Sequence, residues 1–373
     1  MFFQGLALSM LSPLVTRLTA HIGVTLTVFS SLIIARSLTY SLSSFLLGRL
    51  QRNISPNKLA AIGLLILPAV TFFYSRISGP FAVAAVFGIW GIANALTEGG
   101  VDIQNANLPE KFAARLNYLQ YAAMSLGAIA GPVMLRFAMR RASDVLSIPF
   151  YAALPAVIFA VWILFLPEPE PSHAETGKAG SSLTRAVVLA AVLMFFACGV
   201  DSALNSWSPT AVFRGGISDE ANAALMPTFF AVGSLLSRLL NAMLIRNLRT
   251  ETIFSCAVSM VMAAAAGMLL TRNYSVMLGL QFLFGFGNGA IFSSLLLLLR
   301  KNGSAGGGTV GFIMGMKNFG DMLISWGTGI VLDQKGSRAC FAVLAAGAFL
   351  SFVMHLLILG TVKERSADRP IPR

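Results

Sequence analysis

From residue 2 to residue 362 the chain reads as a succession of apolar runs parted by short polar turns. An α-helix needs about 20 apolar residues to cross roughly 30 Å of hydrocarbon. Runs at 2–16, 22–47, 59–74 and 81–105, a fifth beyond residue 115, and others at 149–166, 184–211, 222–245, 252–270, 275–299, 309–332 and 339–362 lie near that length. In lipid every backbone N–H and C=O must find a partner inside the protein, which leaves helices or a closed barrel. Runs of this length without strict alternation predict helices. The expected fold class is therefore an all-α integral membrane protein, with twelve transmembrane helices in two six-helix halves.

Composition excludes a soluble domain. Only 11% of residues are charged and 56% are hydrophobic, against about 25% charged in soluble chains. The net charge of +12 does not indicate nucleic acid, because the basic residues lie between the apolar runs, where membrane lipid and topology account for them. Cys198, Cys256 and Cys340 all fall in apolar runs and read as small core residues. His21, His173 and His355 are scattered without ligand spacing, so no metal or other cofactor is expected. No catalytic triad is visible, and an enzyme is not expected. The first run lacks a basic leader and cleavage signal and is counted as a span.

The segment 167–183, beginning Pro-Glu-Pro-Glu-Pro, is polar and rich in Pro, Gly and Ser. It reads as a flexible linker. The expected division is an N-terminal six-helix half at 1–166, the linker at 167–183 on the cytoplasmic side, and a C-terminal six-helix half at 184–373. With both termini cytoplasmic, fifteen Lys and Arg fall on inside segments and nine on outside ones. That bias sets the expected orientation in the cell (inner or plasma) membrane.

Within the apolar runs a few polar residues stand out. Asn94, Glu98, Asp102 and Asn105 recur at steps of four, four and three, one stripe of a helix. A charge at the bilayer centre costs about 2.5–3.5 kcal/mol on insertion scales, so such residues face a bundle interior or a wet cavity and mark a solute or proton pathway. The plainer reading is that Asp102 and Asn105 sit at the interface and cap the helix. In the seventh run Asp201 and Asn205 share a face with Cys198, and Trp207 is close by. Polar groups beside an aromatic ring suit a sugar, while a Trp at the interfacial belt is the plain alternative. The tenth run holds Gln281 and Asn288 among Gly279, Gly285, Gly287 and Gly289, whose spacing first of all permits close helix packing. In the eleventh, Lys317 and Asp321 are four apart and can pair, either as a fixed structural pair or as a charge switch between conformations. Arg36 and Arg238 lie inside the second and eighth runs and read as packing and state-stabilising residues.

Arg115-Leu116-Asn117-x-x-Gln120, followed by Leu126-Gly127-Ala128-Ile129-x-Gly131-Pro132, resembles the fifth helix of the fucose/hexose proton symporters of the major facilitator superfamily. Leu96-Thr97-Glu98 with Asp102 resembles that family's Leu-Glu-Thr-Ala-Ala-Asn run, with Asp102 in the Asn slot. Ala35-Arg36-Ser37-x-x-Tyr40 resembles the second helix of the sodium-dependent glucose transporter-like branch. Gly48-Arg49-Leu50-Gln51-Arg52-Asn53 is a degenerate form of the superfamily's loop between helices two and three, with Arg49 in a gating position and Arg52 where an Asp is usual. Ser237-Arg238 stands where a Gly-Arg pair is common.

The resemblance implies the major facilitator fold and a monomeric symporter that moves a small polyhydroxylated solute, a sugar or sugar-like compound. Glu98 would carry the coupling proton, with Asp102, Asp201 and Asp321 as further titratable candidates. Asn94, Gln120, Asn205, Trp207, Gln281, Asn288 and Lys317 would line the solute site; the resemblance supports Gln120 among them, as it does Glu98, and the others rest on position alone. The first run lacks the carboxylate that fucose permeases carry there, so sodium stays open as the coupling ion beside the favoured proton. An exporter of amphipathic compounds is the main alternative, given 16 methionines and 28 phenylalanines. A non-transporting receptor on the same scaffold is another.

Overall fold

The computed structural model describes residues 1–50, 53–106, 108, 110–141, 144–167, 184–244, 248–301 and 307–367. The linker expected at 167–183 lies outside them except for Pro167, as do Gln51 and Arg52 of the loop after the second helix. The side chains of Arg49, Arg115 and Asn117 are also outside the described set.

Among the described residues the chain is helical throughout, with no strand. In order it forms α1 (Phe2–Ile22), α2 (Leu26–Leu50), α3 (Pro56–Phe72), α4 (Pro80–Ala106), α5 (Glu110–Arg141), α6 (Ile148–Ala153), α7 (Pro155–Leu164), α8 (Arg185–Arg214), α9 (Glu220–Ala223), α10 (Met226–Leu244), α11 (Thr250–Leu270), α12 (Tyr274–Lys301) and α13 (Gly307–Ala367). Nine of the described helices are long and apolar enough to cross a membrane. Large side chains such as Phe45, Phe81 and Leu270 stand almost fully exposed on them. In water such a surface would drive association; in a bilayer the acyl chains cover it.

Local chemistry sets the boundaries, and two differ from the sequence expectation. The second helix starts at Leu26 rather than 22 because Gly23 adopts the left-handed conformation (φ 74) and closes α1, its N–H bonded to the Thr19 carbonyl. The run at 149–166 is two helices, α6 and α7, parted at Leu154 ahead of Pro155, which has no N–H to donate. The runs at 309–332 and 339–362 are, as expected, two helices; they follow one another directly within α13 and are parted at Gly336 (φ 79, ψ −174), where the backbone leaves the helix in a conformation that glycine alone adopts without strain.

The chain divides into two compact units: Met1–Ala174 with Ser208–Thr228, and Glu175–Trp207 with Phe229–Arg373. In the first, α2 packs along α4, α1 along α5, and α3 against α4 and α7. The α2–α4 contact is backbone to backbone. A Cβ at Gly91 would stand 2.2 Å from both the Arg36 carbonyl and the Thr39 hydroxyl. In the second unit α12 packs along α11, and α13 against α11. A Cβ at Gly285 would meet the Phe230 carbonyl of α10 at 2.1 Å, and one at Gly287 the Ala257 carbonyl of α11 at 2.6 Å; at Gly279 it would meet nothing within 4 Å. The glycines of α12 are therefore packing residues where the helices cross, apart from Gly279.

Gly91→Leu is expected to be among the more damaging single changes in the first unit. Overpacking costs about 1–3 kcal/mol in a core that can adjust, and here the obstacle includes backbone. The melting temperature of the purified variant in detergent should fall by several degrees with loss of folded yield. An unchanged melting temperature would refute the close approach.

Candidate functional site

The Gly91 contact sets α2 beside α4 so that Tyr40 reaches Glu98. The phenol donates to Glu98 Oε2 at 2.8 Å. One turn further along α4, Asp102 Oδ1 accepts from Gln120 Nε2 at 2.9 Å, and Gln120 Oε1 accepts from Asn105 Nδ2 at 2.6 Å. The Gln120 amide thus uses both ends at once and ties α5 to the α4 stripe. Asp102 and Asn105 both belong to this chain of hydrogen bonds. Tyr40, Ser44, Glu98 and Asp102 form the polar wall of a cavity of about 280 Å³, with Leu47, Ala95, Gly99 and Ile103 as its apolar wall. Asn94, on the same stripe, is buried, and its backbone carbonyl accepts from Gln4 Nε2 at 3.4 Å.

Arg36 lies one turn from Tyr40 on α2. Its guanidinium stands over the Trp90 ring at 5.2 Å from the centroid, within the range of a cation–π contact. Thr39, between them, donates to the Gly88 carbonyl at 2.7 Å. Toward the far end of α4, Gln104 bonds Asn57 of α3, which donates in turn to the Leu166 carbonyl at 2.8 Å.

The second unit holds its own polar cluster. Here α8 and α13 cross at glycines: a Cβ at Gly320 would lie 2.0 Å from the Phe195 carbonyl, and one at Gly199 would lie 2.7 Å from the Gly320 carbonyl. The crossing brings Asp201 of α8 into the electrostatic neighbourhood of Lys317 and Asp321 of α13 and Arg238 of α10, while Asn288 of α12 hydrogen-bonds the Asp201 side chain. Asn205 Nδ2 donates to Asp201 Oδ1 at 2.8 Å, and Lys317 Nζ lies 3.2 Å from Asp321 Oδ2. All six are half-buried, as polar groups lining a wet interior would be.

Of the residues singled out in the sequence, Glu98, Asp102 and Gln120 come together in the first unit, and Asp201, Asn205, Asn288, Lys317, Asp321 and Arg238 in the second. Trp207 and Gln281 stand apart. Trp207 is fully buried with its indole N–H donated to the Ser325 carbonyl at 2.7 Å, so its ring is committed to packing α8 on α13 rather than to an interfacial belt. Gln281 is fully buried in α12. Among the described residues no group of His, Cys, Asp and Glu could hold a metal ion. The sequence reading passed over Tyr40 as a site residue and Gln4 altogether. Tyr40 was findable as the i+4 neighbour of Arg36; Gln4, alone in an apolar run, had no partner pattern to expose it.

A profile of the Major Facilitator Superfamily matches residues 1–323. The chain is 24% identical over 379 residues, covering 94% of its own length and 93% of the relative, to YfkL of Bacillus subtilis (strain 168), described as an uncharacterized MFS-type transporter. Among solved structures, a bacterial homolog of the human lysosomal transporter Spinster in an inward-facing, unoccupied conformation matches with a TM-score of 0.78 at 10% identity, over 100% of this chain and 96% of that one. The nucleoside transporter NupG matches with a TM-score of 0.70 at 15% identity, over 97% of each chain.

Proposed function

The chain belongs to the Major Facilitator Superfamily, and on that premise we propose that it is a proton-coupled secondary transporter of a small hydroxyl-rich solute, a sugar or sugar-bearing compound. The observation that carries the reading is the cavity whose polar wall is Tyr40, Ser44, Glu98 and Asp102. It offers hydroxyls and carboxylates on one side and aliphatic carbon on the other, the two kinds of surface a sugar presents. The resemblance of the Glu98 and Gln120 segments to sugar symporters supports the solute class. So does the likeness in fold to a nucleoside transporter, since a nucleoside carries a sugar.

We assign the proton to Glu98 on the resemblance of its segment to proton symporters and on the Tyr40 hydroxyl that meets it. Asp201 and Asp321 lie among Lys317 and Arg238, whose charges balance theirs in place. Glu98 accepts from the Tyr40 phenol and Asp102 from the Gln120 amide. A hydroxyl can donate to a carboxylate or accept from a carboxylic acid, so Tyr40 fits Glu98 in either protonation state. In this reading Glu98 binds the proton, Gln120 and Asn105 set the position of Asp102, and Asn205, Asn288 and Lys317 offer hydrogen bonds to the solute. The orientation follows the positive-inside bias, with both termini in the cytoplasm of a cell-membrane monomer.

A thermal-shift screen of the purified protein tests the solute class. Sugars and nucleosides at concentrations far above Kd should raise the melting temperature by a few degrees, as binding to the folded state alone requires. Stabilisation by amphipathic compounds with none by sugars or nucleosides would replace this reading with that of an exporter.

A further inference from the structure

Two polar groups of the first unit are buried with nothing to bond. Trp90 lies in α4 and Tyr74 in the 3-10 turn Phe73–Ser75 that follows α3. They are 0% and 1% exposed, and among the described residues neither the indole Nε1 nor the phenol Oη has a hydrogen-bond partner. Their rings are neighbours, with centroids 6.1 Å apart at an angle of 64°. Phe87 packs against both, 6.4 Å from Tyr74 and 6.1 Å from Trp90, and Phe29 of α2 packs on Phe87 at 5.7 Å. All four rings are buried, so bulk water does not reach the pair.

A buried donor left unmet forfeits its hydration and gains nothing in return, and native interiors seldom leave one so. Two of them on adjoining rings call for a bound acceptor. The charge nearby decides which kind. The Arg36 guanidinium stands over the Trp90 ring, 5.2 Å from its centroid, and acts electrostatically on the Tyr74 hydroxyl. An indole N–H and a guanidinium can only donate, and the phenol has a proton to give. A water molecule has two lone pairs to offer and two O–H bonds of its own to place. A halide accepts from every donor, places none, and is held by the cation's field in a medium of low dielectric.

We propose that Trp90 Nε1, Tyr74 Oη and the Arg36 guanidinium hold one small inorganic anion, chloride above all, where α2, α4 and the end of α3 meet. The site shares no residue with the cavity beside Glu98. It lies on the same α2–α4 crossing, since Arg36 is one turn from Tyr40, and the ion braces the contact that brings Tyr40 to Glu98. It is a structural ligand of the first unit and stands independently of the transport reading.

Melting temperatures of the purified protein, freed of chloride and then measured in sodium gluconate or sodium chloride, test the site. Equal ionic strength holds screening constant, so a difference between the salts reports binding. Chloride should raise the melting temperature of the parent by a few degrees, with a dependence on concentration that follows filling of the site. Tyr74→Phe removes the hydroxyl and keeps the ring. It should lose most of the chloride shift, yet melt no lower than the parent in gluconate, where the donor it deletes is unmet. Bromide gives a second reading on the unaltered chain, because it quenches tryptophan fluorescence on contact and reaches a buried Trp90 only as a bound ion. Part of the quenching should therefore saturate with bromide concentration and vanish in Trp90→Phe. If Tyr74→Phe does not fold, this measurement carries the test. Equal melting of the parent in both salts, a chloride shift that survives in Tyr74→Phe, or quenching without a saturable part would overturn the anion. Equal destabilisation of Tyr74→Phe in both salts would overturn it in favour of a bound water.

Discussion

Glu98→Gln is expected to abolish uphill accumulation of solute while leaving exchange across the membrane largely intact. Gln keeps the shape of Glu and can still accept from the Tyr40 hydroxyl, which lies 2.8 Å from Glu98 Oε2, but it cannot release a proton at any working pH. A transporter that moves one proton with each solute can build about a tenfold solute gradient from one pH unit. The variant should lose that factor entirely and only equilibrate. Counterflow of labelled solute against unlabelled solute, which needs no net proton movement, should stay within a few fold of the parent. Proton-driven accumulation that survives in Glu98→Gln would move the proton to Asp102, which shares the cavity wall.

The second large effect is expected at Lys317 and Asp321. Their side chains are 34% and 29% exposed, so the cost of removing one partner should fall between the ~1 kcal/mol of a surface pair and the 3–5 kcal/mol of a fully buried one. Lys317→Ala strands Asp321 close to a second carboxylate, Asp201, and should lower both the melting temperature and the folded yield. The double change Lys317→Met with Asp321→Leu removes both charges and should restore folding, since apolar replacement of an inward pair is often neutral. Transport should not return, because Asp201 then loses the amine that offsets its charge and the solute loses a donor. Full transport in the double variant would show that the pair is scaffold alone.

These residues differ in how far the sequence exposed them. Glu98, Asp102 and Asn105 were legible because a polar stripe at helical spacing is conspicuous in an apolar helix, and Gln120 because its segment carries a family-like signature. Their meeting with Gln120, which arrives from α5, is one that no local pattern encodes. Lys317 and Asp321 announce each other at i,i+4, but their approach to Asp201 depends on Gly199 and Gly320 letting two backbones touch, and glycines in a membrane helix do not name the helix they face. An aromatic beside polar residues, as Trp207 is, looks the same in sequence whether its ring lines a cavity or is buried with its N–H on a carbonyl such as that of Ser325. The two helices of α13 were legible because the residues around Gly336 are polar, and the backbone does leave the helix there. Arg17 and Glu220, which pair at 2.7 Å, are 203 apart in sequence and had no signature at all.

The central claim is that the cavity beside Glu98 couples solute to protons. Its most direct test is uptake of a solute from the thermal-shift screen into proteoliposomes of the purified protein, with the outside one pH unit more acidic than the inside and no sodium present. The expected result is accumulation to about tenfold per coupled proton, collapsed by a protonophore and absent when the two sides are at equal pH. Accumulation that ignores the pH gradient and follows an imposed sodium gradient, or solute that merely equilibrates whatever the gradient, would contradict the account.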